Sequence, residues 1–120
     1  MLGKKTWVFA DGDLPPHPEH LGEPKAHEAL MVVNDGKEDA LLEITLLFED
    51  GEPKENLKLT APAKRASCFR MDHKIWGDDY LIPSGQYAII VRSNVPVVAV
   101  FGRLDRRKDM AYYAVAPYAE

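Results

Sequence analysis

The spacing of apolar residues constrains this chain most: they recur at every second position, in short runs separated by turn chemistry. Leu42, Ile44, Leu46 and Phe48 alternate with Glu43 and Thr45, although Leu41 and Leu47 blur the outer face. Leu57 and Leu59 flank Lys58, Trp7 and Phe9 flank Val8, and Phe69 and Met71 flank Arg70. A period of two places one side of a strand in a core and the other toward solvent. Asn34-Asp35-Gly36-Lys37, Glu49-Asp50-Gly51-Glu52-Pro53, Ala61-Pro62-Ala63 and Ile82-Pro83-Ser84-Gly85 punctuate these runs. Asp-Gly is expected to supply the positive φ of tight hairpins. Ser93-Asn94 is read as a further turn, before Val95 to Leu104. The pattern predicts an all-β fold, an antiparallel β-sandwich of jelly-roll type with little helix. Helical patterning is thin: residues 103–111 read as one turn or a short helix, and His73 to Asp79 as a loop with a turn of 3₁₀ helix.

The chain has 120 residues, 46% hydrophobic and 28% charged. That suits one globular domain over residues 1–120, with a real core. The formal net charge of −4 gives no overall attraction to nucleic acid or an anionic membrane. One cysteine, Cys68, excludes a disulfide within the chain. Met1 to Lys5 leads straight into strand patterning, with no apolar run of the signal-peptide kind and none of the roughly 18 residues needed to span a bilayer. The expectation is a soluble cytoplasmic protein.

Two stretches depart from simple alternation. Asp11 to Ala26 carries Pro15, Pro16, Pro18 and Pro24 and is predicted to be an ordered extended loop. It is read either as a functional loop or as a surface crossover between sheets. The strands Tyr87 to Val91 and Val95 to Phe101 are apolar on both faces. A two-layer sandwich leaves one face to water, so a loop, a short helix or another subunit must cover it; another subunit is the favoured reading.

The residues do not assemble a convincing catalytic set. His17, His20 and His27 lie near Glu19, Glu23 and Glu28, but without a helix-borne His-Glu motif or a cysteine pair. Ser67, Ser84 and Ser93 lack the Gly-x-Ser-x-Gly elbow. Cys68 has Arg65 and Arg70 nearby, but reads as a quiet strand cysteine. Phosphate-cradling glycine motifs are missing. Asp11 with Asp13, or Asp78 with Asp79, read as solvated loop acids rather than an acid–base pair. The expectation is no enzyme, no metal and no cofactor.

Surface charge is more informative. Arg103, Arg106, Arg107 and Lys108 place four basic residues in six positions, with Asp105 and Asp109 among them. Such a run grips an anion or acidic surface, or pairs internally or between subunits. Tyr112, Tyr113 and Tyr118 supply a stacking platform or fill core and interface positions.

Several segments in order resemble the sensory rhodopsin transducer family, small soluble bacterial proteins. They are Ala10-Asp11-Gly12-Asp13-Leu14-Pro15-Pro16, Ala26-His27-Glu28, Asn34 to Ala40, Glu43-Ile44-Thr45, Leu59 to Arg65, and Ser93 to Val98 leading into Arg103-Leu104-Asp105-Arg106. The resemblance runs from about Trp7 to Ala119. It implies a sandwich shaped like carbohydrate-binding modules, a homotetramer, and a signalling role in which the cytoplasmic face of a membrane photoreceptor or another receptor is the partner. Three places depart from the family pattern: Val100-Phe101-Gly102 where polar residues are expected, Lys64 in place of an arginine, and the segment Met71 to Tyr80. The partner-binding residues expected are Asp11, His27, Glu28, Arg65, Arg103, Asp105 and Arg106. Two other function classes stand beside this one. A small-ligand or carbohydrate-binding module would use Trp7, Trp76 and the tyrosines, and a DNA-binding regulator would use Arg103 to Lys108.

Overall fold

The computed structural model describes residues 2–14, 27–105 and 111–120, with the backbone alone at Asp105. The elements are β1 (Lys4–Leu14), β2 (His27–Asn34), β3 (Ala40–Phe48), β4 (Lys54–Ala61), β5 (Arg65–Arg70), β6 (Gly85–Asp105), β7 (Ala111–Val115) and β8 (Tyr118–Ala119). All pairings are antiparallel. The fold is the all-β, sandwich-type one expected from period-two patterning, with no helix among the described residues.

Strand β6 organises the molecule. Its first half pairs with β1 and β3, in the order β4-β3-β6-β1-β8. Its second half pairs with β2 and β7, giving the order β5-β2-β6-β7. Ser93-Asn94, expected to be a turn, lies inside this one 21-residue strand. The polar pair marks the corner where the strand leaves one sheet for the other. There Asn94 Oδ1 accepts the Leu41 N–H at 2.8 Å, and Pro96 sits where the ladder changes partners.

The side chains of both inner faces meet in one cluster. Phe9 from β1, Leu30 and Val32 from β2, Ile44 from β3, and Ile89 and Phe101 from β6 are all fully buried. The Phe9 and Phe101 rings, 5.9 Å apart at 50°, join the two sheets. Burying a side chain of this size is worth about 1.5–3 kcal/mol.

Four local expectations need correction. Asp11 to Leu14 belong to β1 rather than to a loop; the bulge between Phe9 and Gly12 lets the strand continue past the acidic pair. The remainder of the proline-rich stretch lies outside the described residues. The left-handed positions fall at Gly3, Gly77, Gly85, Asn56 and Lys64, not at Gly36 or Gly51. The first turn is built instead by Asn34, whose Oδ1 accepts the Gly36 N–H while Nδ2 donates to Glu38 O and Ala61 O. Finally, both ends of 103–111 are strand, in β6 and β7, with 106–110 outside the described residues. The segment His73 to Asp79 is a loop with bends and no 3₁₀ helix.

Candidate functional site

Glu28 lies on the inner face of β2, next to Leu30 at the start of the strand. Antiparallel register sets it directly across from Arg103 of β6. An inward-facing carboxylate is costly unless it is paired and hydrogen-bonded, and here both conditions hold. Arg103 Nε donates to Glu28 Oε2 at 2.8 Å and Tyr87 OH donates to Oε1 at 2.5 Å. The Asp13 N–H donates to both oxygens, at 3.0 and 3.2 Å. The Glu28 side chain is 3% exposed and that of Arg103 6%.

Arg103 is also committed beyond Glu28. Its Nη1 lies 3.0 Å from Asp11 Oδ1, and the guanidinium sits 5.2 Å from the centroid of the Tyr113 ring. The cluster therefore joins β1, β2, β6 and β7 through one ionic centre. Gly12 makes room for it: a Cβ there would lie 2.6 Å from the Tyr87 ring.

Burial raises the Glu28 pKa above the usual carboxyl value, against the opposing pull of Tyr87, the Asp13 N–H and Arg103. For Arg103, burial acts downward but is outweighed by the Glu28 charge, so its pKa also rises. Burial, then the Glu28 charge, pushes the Tyr87 phenol far up. Burial thus favours the protonated forms of Glu28 and Tyr87, while the Arg103 charge favours the ionised carboxylate and is itself held by it. Such a cluster fastens strands; its carboxylate is closed off from solvent and has no free edge for acid–base work.

Of the expected site residues, the structure brings together Asp11, Glu28 and Arg103. The His27 backbone pairs with Leu104 beside them. Arg65 stands apart: it pairs with Asn34, six residues along β2 from Glu28, about 20 Å away. Its side chain is exposed and donates to Lys64 O. The Asp105 side chain, Arg106 and the remaining basic run lie outside the described residues, as do His17 and His20. Arg103 itself points inward, so it contributes nothing to a phosphate-facing surface. Sequence reasoning missed Tyr87, which it assigned to the core, and the roles of Gly12, the Asp13 N–H and Tyr113. The available signal was chemical: a buried tyrosine hydroxyl needs a partner.

The aromatic platform is altered too. Trp7 is buried and its indole N–H is bonded to Lys4 O and Val97 O, both at 3.1 Å. That removes it from any sugar-stacking surface. Cys68 is exposed on β5. Among the described residues, no group of three or more histidine, cysteine or acidic side chains could hold a metal ion, and no helix is long and apolar enough to cross a membrane.

Two sheets sharing a bent strand, sealed at one end by an ionic cluster, define an all-β protein of sandwich type. Residues 2–119 match the model of the family described as Anabaena sensory rhodopsin transducer, and the chain belongs to that family. It is similar to the crystal structure of Thermotoga maritima 1070, with 31% identity and a TM-score of 0.82, covering 100% of this chain and 97% of that one. It is also similar to the Anabaena sensory rhodopsin transducer, with 35% identity and a TM-score of 0.76, covering 88% of this chain and 92% of that one. A search among curated proteins finds no match.

Proposed function

We propose that this chain is a cytoplasmic, non-catalytic signalling adaptor: one domain over residues 1–120 that assembles as a homotetramer and relays a signal by docking a receptor. The cytoplasmic side of a membrane photoreceptor is the first partner to consider. Family membership supports the transducer role. The observation that carries the docking mechanism is the Glu28–Arg103 cluster. It spends its chemistry on holding together the C-terminal ends of β1 and β6 and the N-terminal ends of β2 and β7. A rigidly fastened end of the two sheets suits recognition. On this reading Asp11, His27, Arg65, Asp105 and Arg106 make the outward contacts, Glu28 and Arg103 hold Asp11 and the backbone at His27 in place, and Arg65 acts from a separate part of the surface.

The test is calorimetric titration of the intact chain against a detergent-solubilised sensory rhodopsin. Saturable binding, weakened by Asp11→Ala without loss of folding, is expected. Heats no larger than those of dilution would overturn the photoreceptor as partner. The carbohydrate and DNA alternatives lose Trp7 and Arg103 respectively to the interior, although Tyr112, Tyr113 and Tyr118 stay exposed.

A further inference from the structure

The outer face of the β4-β3-β6-β1-β8 sheet carries a cation at its centre. Ile44 and Leu46 of β3 and Ile89 and Val91 of β6 are fully buried, so Glu43, Thr45, Ile90 and Arg92 point away from the core. Register lines up two outward rows across the sheet. One runs Tyr118, Val8, Ile90, Thr45, and the other Thr6, Arg92, Glu43, Lys58. Arg92 thus stands on the central strand, with Val8 and Thr45 on its diagonals and Ile90 beside it along β6.

Two observations bear on what this face accepts. The first is charge. Arg92 is exposed, and its hydrogen bond within the chain is a long one, from Nη1 to Thr45 Oγ1 at 3.5 Å. Glu43, directly across from it, is engaged by Lys58 at 3.4 Å instead. Among the described residues no carboxylate pairs with Arg92. The two rows hold two cations against one anion, a locally positive patch in a chain of net charge −4. A guanidinium fork left open beside apolar side chains matches a carboxylate brought from outside. The second observation is the placing of the apolar arms. Leu41 and Leu47, 58% and 41% exposed, lie on either side of the Glu43–Arg92 pair along β3. They stand six positions apart, about 20 Å of strand. No small carboxylate seated on Arg92 reaches both, whereas an extended peptide of about seven residues does.

We propose that this face docks a short acidic segment of a partner protein, whose carboxylate pairs with Arg92 while apolar side chains on both sides of it cover Leu41 and Leu47. It rests on the docking reading above and adds a surface and the chemistry of the partner that fits it. Arginine and tyrosine are the side chains that most often carry interface energy. Here Arg92 is the centre, and Tyr118 offers its ring at the β8 edge, 60% exposed with its hydroxyl held by Glu120 at 2.7 Å. A basic segment would meet Arg92 as a like charge and gain no pairing.

The test is panning of a random peptide library displayed on phage against the intact native chain, then fluorescence anisotropy with a synthetic copy of the strongest binder. Enriched peptides are expected to carry Asp or Glu between apolar residues. Arg92→Gln should weaken the binder about tenfold or more, and so should replacing the peptide's carboxylate by its amide. The two changes together should cost no more than either alone, the mark of a direct pair. Lys74→Gln removes the same charge from the loop after β5 and should leave binding unchanged. Enrichment of basic peptides, no enrichment, or a binder indifferent to Arg92→Gln overturns the proposal. So does a lower mass for Arg92→Gln by light scattering, since a second copy would then occupy the face. Rhodopsin binding that survives any of these outcomes leaves the adaptor reading standing; absent rhodopsin binding with the peptide results intact overturns the photoreceptor alone. Should Arg92→Gln fail to fold, the amide-substituted peptide on the wild-type chain still decides.

Discussion

Replacing Glu28 with alanine is expected to cost the folded chain about 3–5 kcal/mol, the range for breaking a buried ion pair from one side. The magnitude follows from what is left behind. Arg103, with its side chain 6% exposed, keeps the half-exposed Asp11 as its one counter-charge among the described residues. Tyr87 loses the acceptor of its 2.5 Å bond, and the Asp13 N–H loses its two bonds to the carboxylate. Each buried donor left unmet costs about 1–3 kcal/mol in itself, although these contributions overlap. Against a total stability of about 5–15 kcal/mol, the variant should be close to unfolding. Glu28→Gln keeps an acceptor oxygen and the volume, so its loss should be smaller, about 2 kcal/mol. The assay is urea unfolding at fixed protein concentration, followed by tryptophan fluorescence from Trp7 and Trp76. A loss under about 1 kcal/mol for Glu28→Ala would refute the reasoning, because it would mean that the cluster is solvated.

Further outcomes follow from the same contacts. Burial raises the Glu28 pKa, so the folded chain binds that proton more tightly than the unfolded chain does. This contribution to stability is full below the unfolded value of 4.5 and lost as pH rises through the raised folded value. Unfolding of wild type and Glu28→Gln across mildly acidic pH checks the sign. Asp72 behaves oppositely. Burial alone would raise its pKa, but Arg70 holds it below 3.8, so its contribution is present above that value and lost as pH falls through the lowered one; carbon-detected NMR titration reads this directly. Gly12→Ala should cost about 1–3 kcal/mol, because the new methyl meets the Tyr87 ring and displaces its hydroxyl from Glu28; thermal unfolding measures it. Trp7→Phe should cost about 1–2 kcal/mol by leaving Lys4 O and Val97 O without the indole donor, with chemical unfolding as the check.

The strands were legible because period two survives any tertiary context in which one face is buried. The run Leu42 to Phe48 kept its inner face, Leu42, Ile44 and Leu46, in the core. Leu41 and Leu47, which blurred the pattern, are indeed exposed on the outer side. The unity of β6 was not legible. Ser93-Asn94 looks like a turn by composition, and only the non-local bonding of Asn94 to Leu41 shows that the strand bends between sheets instead. The ionic cluster was half legible. Asp11, Glu28 and Arg103 stood out as charged residues in the segments that carry the family resemblance. Their convergence depends on the β2–β6 register, a pairing across 75 positions that local patterning does not encode. Tyr87 was hidden because its alternation with Ile89 and Val91 is that of any core residue. The two apolar faces of Val95 to Phe101 could be read from sequence, whereas the extent of the outer face needed the neighbours Met31, Val33 and Tyr112 to be placed beside it.

Sedimentation velocity at micromolar concentration tests most directly the proposal that this transducer-family chain works as an oligomeric docking protein. The expected result is a single species with the mass of four chains that persists on moderate dilution. A species with the mass of one chain across the same range would contradict it.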